Sequence, residues 1–227
     1  MNAPWAGSLG VGFYTVQQAS RLLHIPPVNI RRWLGGYTFR DSHSMPLWEP
    51  QLARNGNHIE LGFRDLIELR FVQSFLDAGL GLLTIRNCLA YEREAVNDDR
   101  PFSTRRFRTD GRTIFLESAK RAGEADVLNL RNRQYELKQL IERSFKDLDV
   151  SANAVVRWRP LRGKQSVVID PARSFGQPIA AKSGVPTQVL AEAAEAEESL
   201  EQVSELYEIS LGALKDALAF EASLAAA

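Results

Sequence analysis

The chain has 227 residues, of which 44% are hydrophobic and 25% charged, a composition typical of a folded protein and not of a disordered one. Its net charge is zero, but residues 1–165 carry 25 basic and 18 acidic side chains, whereas residues 166–227 carry 3 and 10. A single cysteine excludes a disulfide framework, and no hydrophobic run is long enough to cross a membrane. We therefore expect a cytoplasmic protein whose basic part meets a polyanion.

Two short helices joined by a tight turn are predicted near the start. Thr15 is a suitable N-cap, and the hydrophobic residues that follow it recur at helical spacing up to Leu23. Two prolines in residues 24–27 end this helix and permit a second one, which Gly35 and Gly36 end in turn. Such a pair is the outline of a helix-turn-helix.

A β wing is predicted after this pair. Residues 46–52 and 58–63 are short extended pieces, and the dipeptide Asn55-Gly56 between them is typical of a hairpin turn. Two amphipathic helices are predicted next, over residues 64–78 and 82–91.

The middle of the chain predicts a hairpin, a helix and a linker. Residues 107–115 contain Asp110-Gly111, which favours a type I′ hairpin. Residues 128–148 have a helical period, and their hydrophobic stripe suits either dimerisation or packing within the chain. Residues 155–158 are extended, and the basic, irregular residues 159–164 mark a domain boundary.

A second helix-turn-helix outline is predicted at the C-terminal end. A short strand over residues 166–170 precedes helices at 187–195, 200–207 and 211–222, with Thr187 as the cap of the first.

The fold class predicted is mainly α. It comprises a winged helix-turn-helix domain with β hairpins over residues 1–125, a connecting helix and basic linker over 126–165, and a three-helix domain over 166–227.

Catalysis finds little support in the sequence. His24, His43 and His58 are far apart and have no carboxylate or cysteine at metal-ligand spacing. No nucleophile elbow and no glycine-rich phosphate loop is present. We therefore expect a protein that is not an enzyme and needs no metal or cofactor.

Side chains that can read DNA bases occur in the predicted second helix. Asn29 can pair with adenine, and Arg31 or Arg32 with guanine. Because consecutive helical residues point about 100° apart, we expect one of the two arginines to contact DNA. Solvation of both is the alternative.

Further candidate contacts flank this helix. Thr15 opens the first helix, and the wing tip offers polar side chains that suit phosphates or a minor groove, although solubility alone also favours a polar tip. The wing residues are Arg54, Asn55, Asn57 and His58.

A second basic cluster surrounds Asp110. Its arginines can contact phosphate, or they can pair with nearby carboxylates in a structural network, and the sequence leaves both open. They are Arg105, Arg106, Arg108 and Arg112.

Residues 14–120 resemble a MerR-type winged-helix module. The resemblance lies in residues 14–19, which begin Tyr-Thr, in Ile-Arg-Arg-Trp at 30–33, and in residues 66–70 and 85–86. It implies DNA binding.

Residues 167–221 resemble a compact bacterial domain that occurs in antitoxins of toxin–antitoxin operons. Its blocks occur in the family's order: residues 168–171, 175–178, 185–187, 206–210 and 217–221.

The combination is similar to the larger VapB-type antitoxins, whose partners are PIN-domain ribonucleases. The resemblance implies an autorepressor that binds its operator DNA and neutralises such a toxin. We also expect the protein to be a homodimer.

Contacts to the toxin are expected from arginines in or near the linker. A carboxylate cluster holds the metal of PIN nucleases, and an arginine entering it would compete electrostatically. The candidates are Arg157, Arg159, Arg162 and Arg173.

The alternative is an effector-responsive MerR-like regulator without a toxin partner. It would need a ligand pocket between Phe71, Phe75, Ile85 and Leu89, whose spacing equally suits an ordinary core.

Overall fold

The computed structural model describes residues 10–39, 42–53, 58–123, 130, 133–197 and 199–225. The protein is mainly helical with small antiparallel sheets, as predicted. The helices are α1 (Val16–Leu23), α2 (Pro27–Gly35), α3 (Phe63–Asp77), α4 (Leu82–Val96), α5 (Arg105–Ala122), α6 (Gln134–Phe145), α7 (Thr187–Ala196), α8 (Leu200–Leu206) and α9 (Leu211–Ala225). The strands are β1 (Tyr14–Thr15), β2 (Tyr37–Phe39), β3 (Ser42–Ser44), β4 (Glu60–Leu61), β5 (Leu148–Ser151), β6 (Ala154–Trp158), β7 (Val167–Ile169) and β8 (Pro178–Ala180).

The predicted helix pair α1–α2 is confirmed, and so is the cap of α1. The Gln18 amide donates to Thr15 Oγ1 at 3.2 Å, and the Thr15 amide donates to Gln18 Oε1 at 2.9 Å, which is a reciprocal capping box. His24 ends α1 in the left-handed conformation, and α2 begins at Pro27. Both helices bury their hydrophobic faces in the core.

The prediction of a β wing over residues 46–63 is wrong. Residues 46–52 form no strand, and β4 pairs antiparallel with β1. The hairpin of this region lies earlier in the chain and joins β2 to β3. The expected wing tip, residues 54–57, lies outside the described residues.

Residues 46–52 cannot serve as a strand for a physical reason. Pro46 and Pro50 have no amide hydrogen to donate to a ladder, and Leu47 and Trp48 are both buried. Three carbonyl oxygens of this segment accept hydrogen bonds from arginine side chains, a pattern that no local sequence signal predicts. The donors are Arg86 to Pro46 O (3.1 Å), Arg93 to Leu47 O (3.0 Å) and Arg100 to Glu49 O (2.7 Å).

The hairpin expected over residues 107–115 is also wrong, because this segment lies inside α5. Its buried residues recur at helical spacing, and Gly111 serves close packing rather than a turn. A Cβ at Gly111 would lie 2.9 Å from Ile141 Cδ1 of α6 and 3.2 Å from the Phe107 ring. The hydrophobic face of α5 outweighs the local turn preference of Asp110-Gly111. The buried residues are Phe107, Gly111, Ile114, Phe115, Ser118 and Ala119.

Phenylalanine rings form the centre of the core. Phe71 and Phe75 of α3 pack against rings contributed by α5, α6 and the short 3-10 helix at residues 101–103, with centroid separations of 4.7 to 6.3 Å across the cluster. This packing joins α3, α5 and α6 into one body.

The helix expected over residues 128–148 is described from Gln134 to Phe145, and its expected end is β5 instead. Leu137, Ile141 and Phe145 of α6 are at most 5% exposed. Its hydrophobic stripe is therefore used within the chain and is not available for dimerisation.

The extended segment 155–158 is confirmed as part of β6. This strand belongs to a sheet of order β5-β6-β7-β8, in which Trp158 pairs with Ile169. The sheet therefore contains strands from both sides of residue 165. Tyr14 Oη donates to the Gly176 carbonyl at 2.7 Å, and Arg21 Nε donates to Leu224 O at 3.4 Å.

The three C-terminal helices are confirmed, with ends within one residue of the prediction for α7 and α8 and within three for α9. Thr187 is the first helical residue of α7 and not its cap, since Pro186 holds the cap position. The buried Thr187 hydroxyl instead bonds to Pro178 O and to the Glu221 carboxylate.

Candidate nucleic-acid and partner surfaces

The outer face of α2 carries the residues predicted to read DNA. Arg31 and Arg32 are exposed and Asn29 is half-buried, whereas Trp33 and Leu34 pack into the core. The helix therefore exposes both arginines together, because its apolar residues anchor the opposite face.

Arg32 differs from Arg31 in its surroundings. The Arg32 guanidinium carbon lies 5.8 Å from the centroid of the Tyr37 ring on β2, at cation–π distance. Arg31 makes no ion pair or side-chain hydrogen bond with any part of the chain that the structure describes. Val28, which is 49% exposed, lies on the same face at i−3 from Arg31. We call Val28, Asn29, Arg31, Arg32 and Tyr37 the α2 surface.

Tyr37 and the β2–β3 hairpin were not among the predicted site residues. The hairpin contains a Thr38 Oγ1–His43 Nδ1 contact of 3.1 Å beside Tyr37. The run Tyr37-Thr38-Phe39 has the β-branched and aromatic character of a strand and could have indicated it.

The remaining candidate DNA contacts are Thr15 and the residues of the expected wing tip. Thr15 is exposed at the start of α1, where its hydroxyl oxygen serves as the cap. Arg54, Asn55 and Asn57 lie outside the described residues.

A buried acidic group fixes the segment that supports α2. Asp65 of α3 is fully buried and accepts hydrogen bonds from Trp48 Nε1 (3.0 Å), from the amides of Gln51 (2.7 Å) and Gly62 (2.9 Å), and from Arg100 Nε (2.7 Å). The Leu47 amide in turn donates to Trp33 O at 2.7 Å. Asp65 thereby links α3 to the residues directly beneath α2.

Glu68, one turn further along α3, is a second buried carboxyl group. Burial raises the pKa of Glu68 to about 7, although the amides of Ser103 (2.7 Å) and Phe102 (3.2 Å) favour its charged form. It holds the short 3-10 helix in front of α5.

The second basic cluster is divided by the helical geometry of α5. Arg106 Nε lies 3.2 Å from Oε1 of the buried Glu92. Arg105, Arg108 and Arg112 are exposed, and none of the three has an ion pair with a described residue. Two nearby carboxylates pair with other arginines, Asp98 with Arg64 at 3.0 Å and Asp99 with Arg93 at 3.7 Å.

Most of the linker arginines have partners within the chain. Arg157 Nε lies 2.8 Å from Asp170, Arg159 Nη2 lies 2.8 Å from Asp149, and Arg173 Nη1 donates to Ala181 O at 3.0 Å. Arg162 is exposed and has no hydrogen bond or ion pair within the described residues.

The positive charge of Arg162 nevertheless affects the pKa of its neighbour Arg70. Burial lowers the pKa of Arg70, the ion pair with Asp147 at 2.6 Å opposes this, and Arg162 adds to the lowering. Arg162 therefore lies close enough to Arg70 for their two positive charges to repel each other.

The pocket required by the effector-responsive alternative is filled. Phe71, Phe75, Ile85 and Leu89 are all at most 1% exposed, and the Phe75 ring packs edge-on against Phe115 at 5.0 Å. These residues form core.

No three His, Cys, Asp or Glu side chains within the described ranges lie close enough together to hold a metal ion. The helices that the structure describes include none that is long and apolar enough to span a membrane.

Comparison with known proteins identifies proteins that are similar to this chain. Residues 167–220 match the family described as "Protein of unknown function (DUF433)". A protein of Mycobacterium tuberculosis strain H37Rv named "Putative antitoxin VapB45" is 27% identical over 224 residues, which are 92% of this chain and 93% of the relative. The chain resembles an antitoxin along nearly its whole length.

The predicted resemblance to VapB-type antitoxins is thereby confirmed, and it supports an antitoxin role. The crystal structure of Rv2018 from Mycobacterium tuberculosis has a similar fold, with a TM-score of 0.74 and 25% identity. The match covers 93% of this chain and 99% of that one. The DUF433 match begins at the first residue of β7 and ends within α9, and its strands belong to the sheet that includes β5 and β6.

Proposed function

We propose that the protein is an antitoxin that binds its operator DNA as a homodimeric autorepressor and neutralises a PIN-domain ribonuclease. The antitoxin role is supported by the similarity to the named antitoxin relative. The DNA-binding role is supported by the α2 surface, and above all by Arg31, which is exposed and unpaired among the described residues.

The two arginines of α2 have different tasks in this proposal. Arg32 stacks near Tyr37, so its guanidinium is pre-positioned for a phosphate contact. Arg31 is free to turn toward a base edge, where a guanidinium pairs bidentately with guanine. Asn29, two residues earlier, can pair with adenine. The Thr15 hydroxyl can donate to a phosphate oxygen while it accepts the Gln18 amide.

The wing-tip residues Arg54, Asn55 and Asn57 stay proposed contacts to phosphate or minor groove. We assign DNA binding to residues 1–125 and association to residues 166–227, with 126–165 between them. The acidic segment is poorly suited to DNA, because affinity for phosphates grows with cationic contacts.

Operator binding tests the first half of the proposal. We expect Arg31→Ala to weaken binding to a duplex from upstream of the protein's own reading frame by about 1 to 3 kcal/mol, roughly 5- to 150-fold. Arg121→Ala is the matched control, since Arg121 is exposed on α5 and already paired with Glu94 at 2.7 Å. Fluorescence anisotropy measures both. Unchanged binding in Arg31→Ala and in Arg32→Ala would refute the assignment of α2.

Toxin inhibition tests the second half. Among the four linker candidates we favour Arg162, because Arg157, Arg159 and Arg173 would first have to release their partners. A PIN-domain protein encoded by the neighbouring reading frame should co-purify with the antitoxin.

Charge reversal at Arg162 should release the ribonuclease activity of that toxin, whereas Arg121→Glu should not. Full inhibition by Arg162→Glu would exclude this arginine, and failure of any ribonuclease to co-purify would contradict the toxin partner.

A further inference from the structure

Helix α5 carries a stripe of arginines that the proposed function does not use. Arg105, Arg108 and Arg112 are spaced by three and four residues, so they lie within about 60° of one another around the helix. Their side chains are exposed and make no ion pair or hydrogen bond in the ranges that the structure describes. Arg106, by contrast, turns toward Glu92.

Arg108 of this stripe lines an open groove of about 630 Å³ between α5 and α6. Arg143 of α6 and Lys146, which directly follows this helix, line the groove together with Arg108. The single carboxylate among its lining residues is Glu142, whose Oε1 lies 3.7 Å from Lys138 Nζ. We call Arg105, Arg108, Arg112, Arg143 and Lys146 the α5–α6 surface, whose five cationic side chains outnumber this single carboxylate.

The position of Arg105 is unfavourable for α5 itself. The first turn contains Arg105 and Arg106 and no acidic residue, although the positive end of the helix dipole lies there. A bound anion at this end would offset the repulsion between these arginines and the positive end of the helix dipole. The helix is also rigidly held at this point, because the Thr104 hydroxyl caps it and the Arg105 amide donates to Asn153 O at 2.8 Å.

We propose that the α5–α6 surface binds the phosphate backbone of double-stranded DNA, as a second contact separate from α2. This inference rests on the proposed DNA-binding function and extends it. Arg105 and Arg112 are about 10 Å apart along the helix axis, which is the axial rise of about three nucleotides of one strand. Because phosphate groups are the same at every base pair, this contact would be independent of base sequence.

The lining of the groove favours duplex DNA over other partners. Proteins that bind single strands offer exposed aromatic rings for base stacking, whereas the one aromatic residue here, Phe145, is 2% exposed. Protein interfaces have an apolar centre that is poor in charge, whereas this groove presents charged heads around its buried Phe145 and Leu148.

The test compares variants of the full-length protein on two duplexes of equal length, the upstream duplex and a random sequence, over a range of KCl concentrations. We expect the triple variant Arg105→Gln, Arg108→Gln and Arg112→Gln to bind both duplexes more weakly by a similar factor. The slope of log affinity against log salt should fall by about 2 to 3, since each phosphate contact contributes about 0.9. The single variant Arg108→Gln should lower it by about 1.

A matched triple variant controls for net charge. Lys120→Gln, Arg121→Gln and Arg133→Gln also remove three exposed cations, but each of these pairs with a carboxylate in the chain, and the slope should stay at the wild-type value. A wild-type slope in the stripe variant, with Arg31→Ala still weakening operator binding, would overturn this inference alone. Failure of the wild type to bind either duplex would overturn the proposed DNA binding as well. Unchanged DNA binding with loss of toxin inhibition would identify a protein as the occupant and also overturn it.

Discussion

Replacing Asp65 by alanine should destabilise the protein severely. The Asp65 side chain is 0% exposed and that of Arg100 11%, with 2.7 Å between Oδ1 and Nε. Removing one partner of a buried ion pair costs about 3 to 5 kcal/mol, because the other charge is left without compensation. Domains are stabilised by about 5 to 15 kcal/mol in total, so this is a large share. For a chain of this size we expect the melting temperature to fall by roughly 6 to 20 °C.

The same substitution at Asp99 isolates the effect of burial. The Asp99 side chain is 70% exposed and lies 3.7 Å from Arg93 Nε, an arrangement that contributes less than about 1 kcal/mol. Urea unfolding followed by circular dichroism should give a much lower midpoint for Asp65→Ala than for Asp99→Ala. The double variant Asp65→Ala with Arg100→Ala should lose less than the sum of the two single losses. Equal midpoints for the two aspartate variants would refute the role given to Asp65.

Three further variants test the fold and its titration. Because burial raises the pKa of Glu68 from 4.5 to about 7, the folded state keeps a proton that the unfolded state has lost. The free energy of unfolding should therefore fall by about 3 kcal/mol as pH rises from about 4.5 to 7, and Glu68→Gln should flatten this dependence in urea titrations; parallel curves would contradict it. Tyr14→Phe should cost about 1 to 3 kcal/mol because it leaves a backbone carbonyl without its donor, whereas Tyr135→Phe, at a 72% exposed ring, should cost less than about 0.5 kcal/mol. Gly111→Leu should lower the melting temperature by overpacking α5 against α6, at a cost of about 1 to 3 kcal/mol or more, whereas Gly212→Leu, with open space around its Cβ, should not. A similar loss in both leucine variants would contradict the packing role.

Local signals in the sequence were sufficient to predict the helices whose ends are set by nearby residues. The capping box at Thr15 and the prolines before α2 act within four residues of the backbone that they satisfy. The error at α5 arose where two local signals disagreed. Asp110-Gly111 favours a turn in isolation, but burial of a whole helical face against α6 stabilises the segment more.

The wing could not be predicted for a different reason. The partner of β4 is β1, about 45 residues earlier, and the carbonyls of Pro46, Leu47 and Glu49 accept hydrogen bonds from arginines of later segments. Such pairings depend on the packed core and have no local signature. The α2 surface was predictable only in part. The exposure of Arg31 and Arg32 follows from the period of the helix, whereas the approach of Tyr37 to Arg32 depends on the packed fold.

The sheet that continues across residue 165 has a consequence for dissecting the protein. A chain cut there would lose β7 and β8, leave an open edge on β6 and remove the carbonyl that binds Tyr14 Oη. We expect such a fragment to aggregate when expressed alone. DNA binding and toxin inhibition would have to be separated by point substitutions, and a chimera joined at this residue would inherit neither parent's sheet.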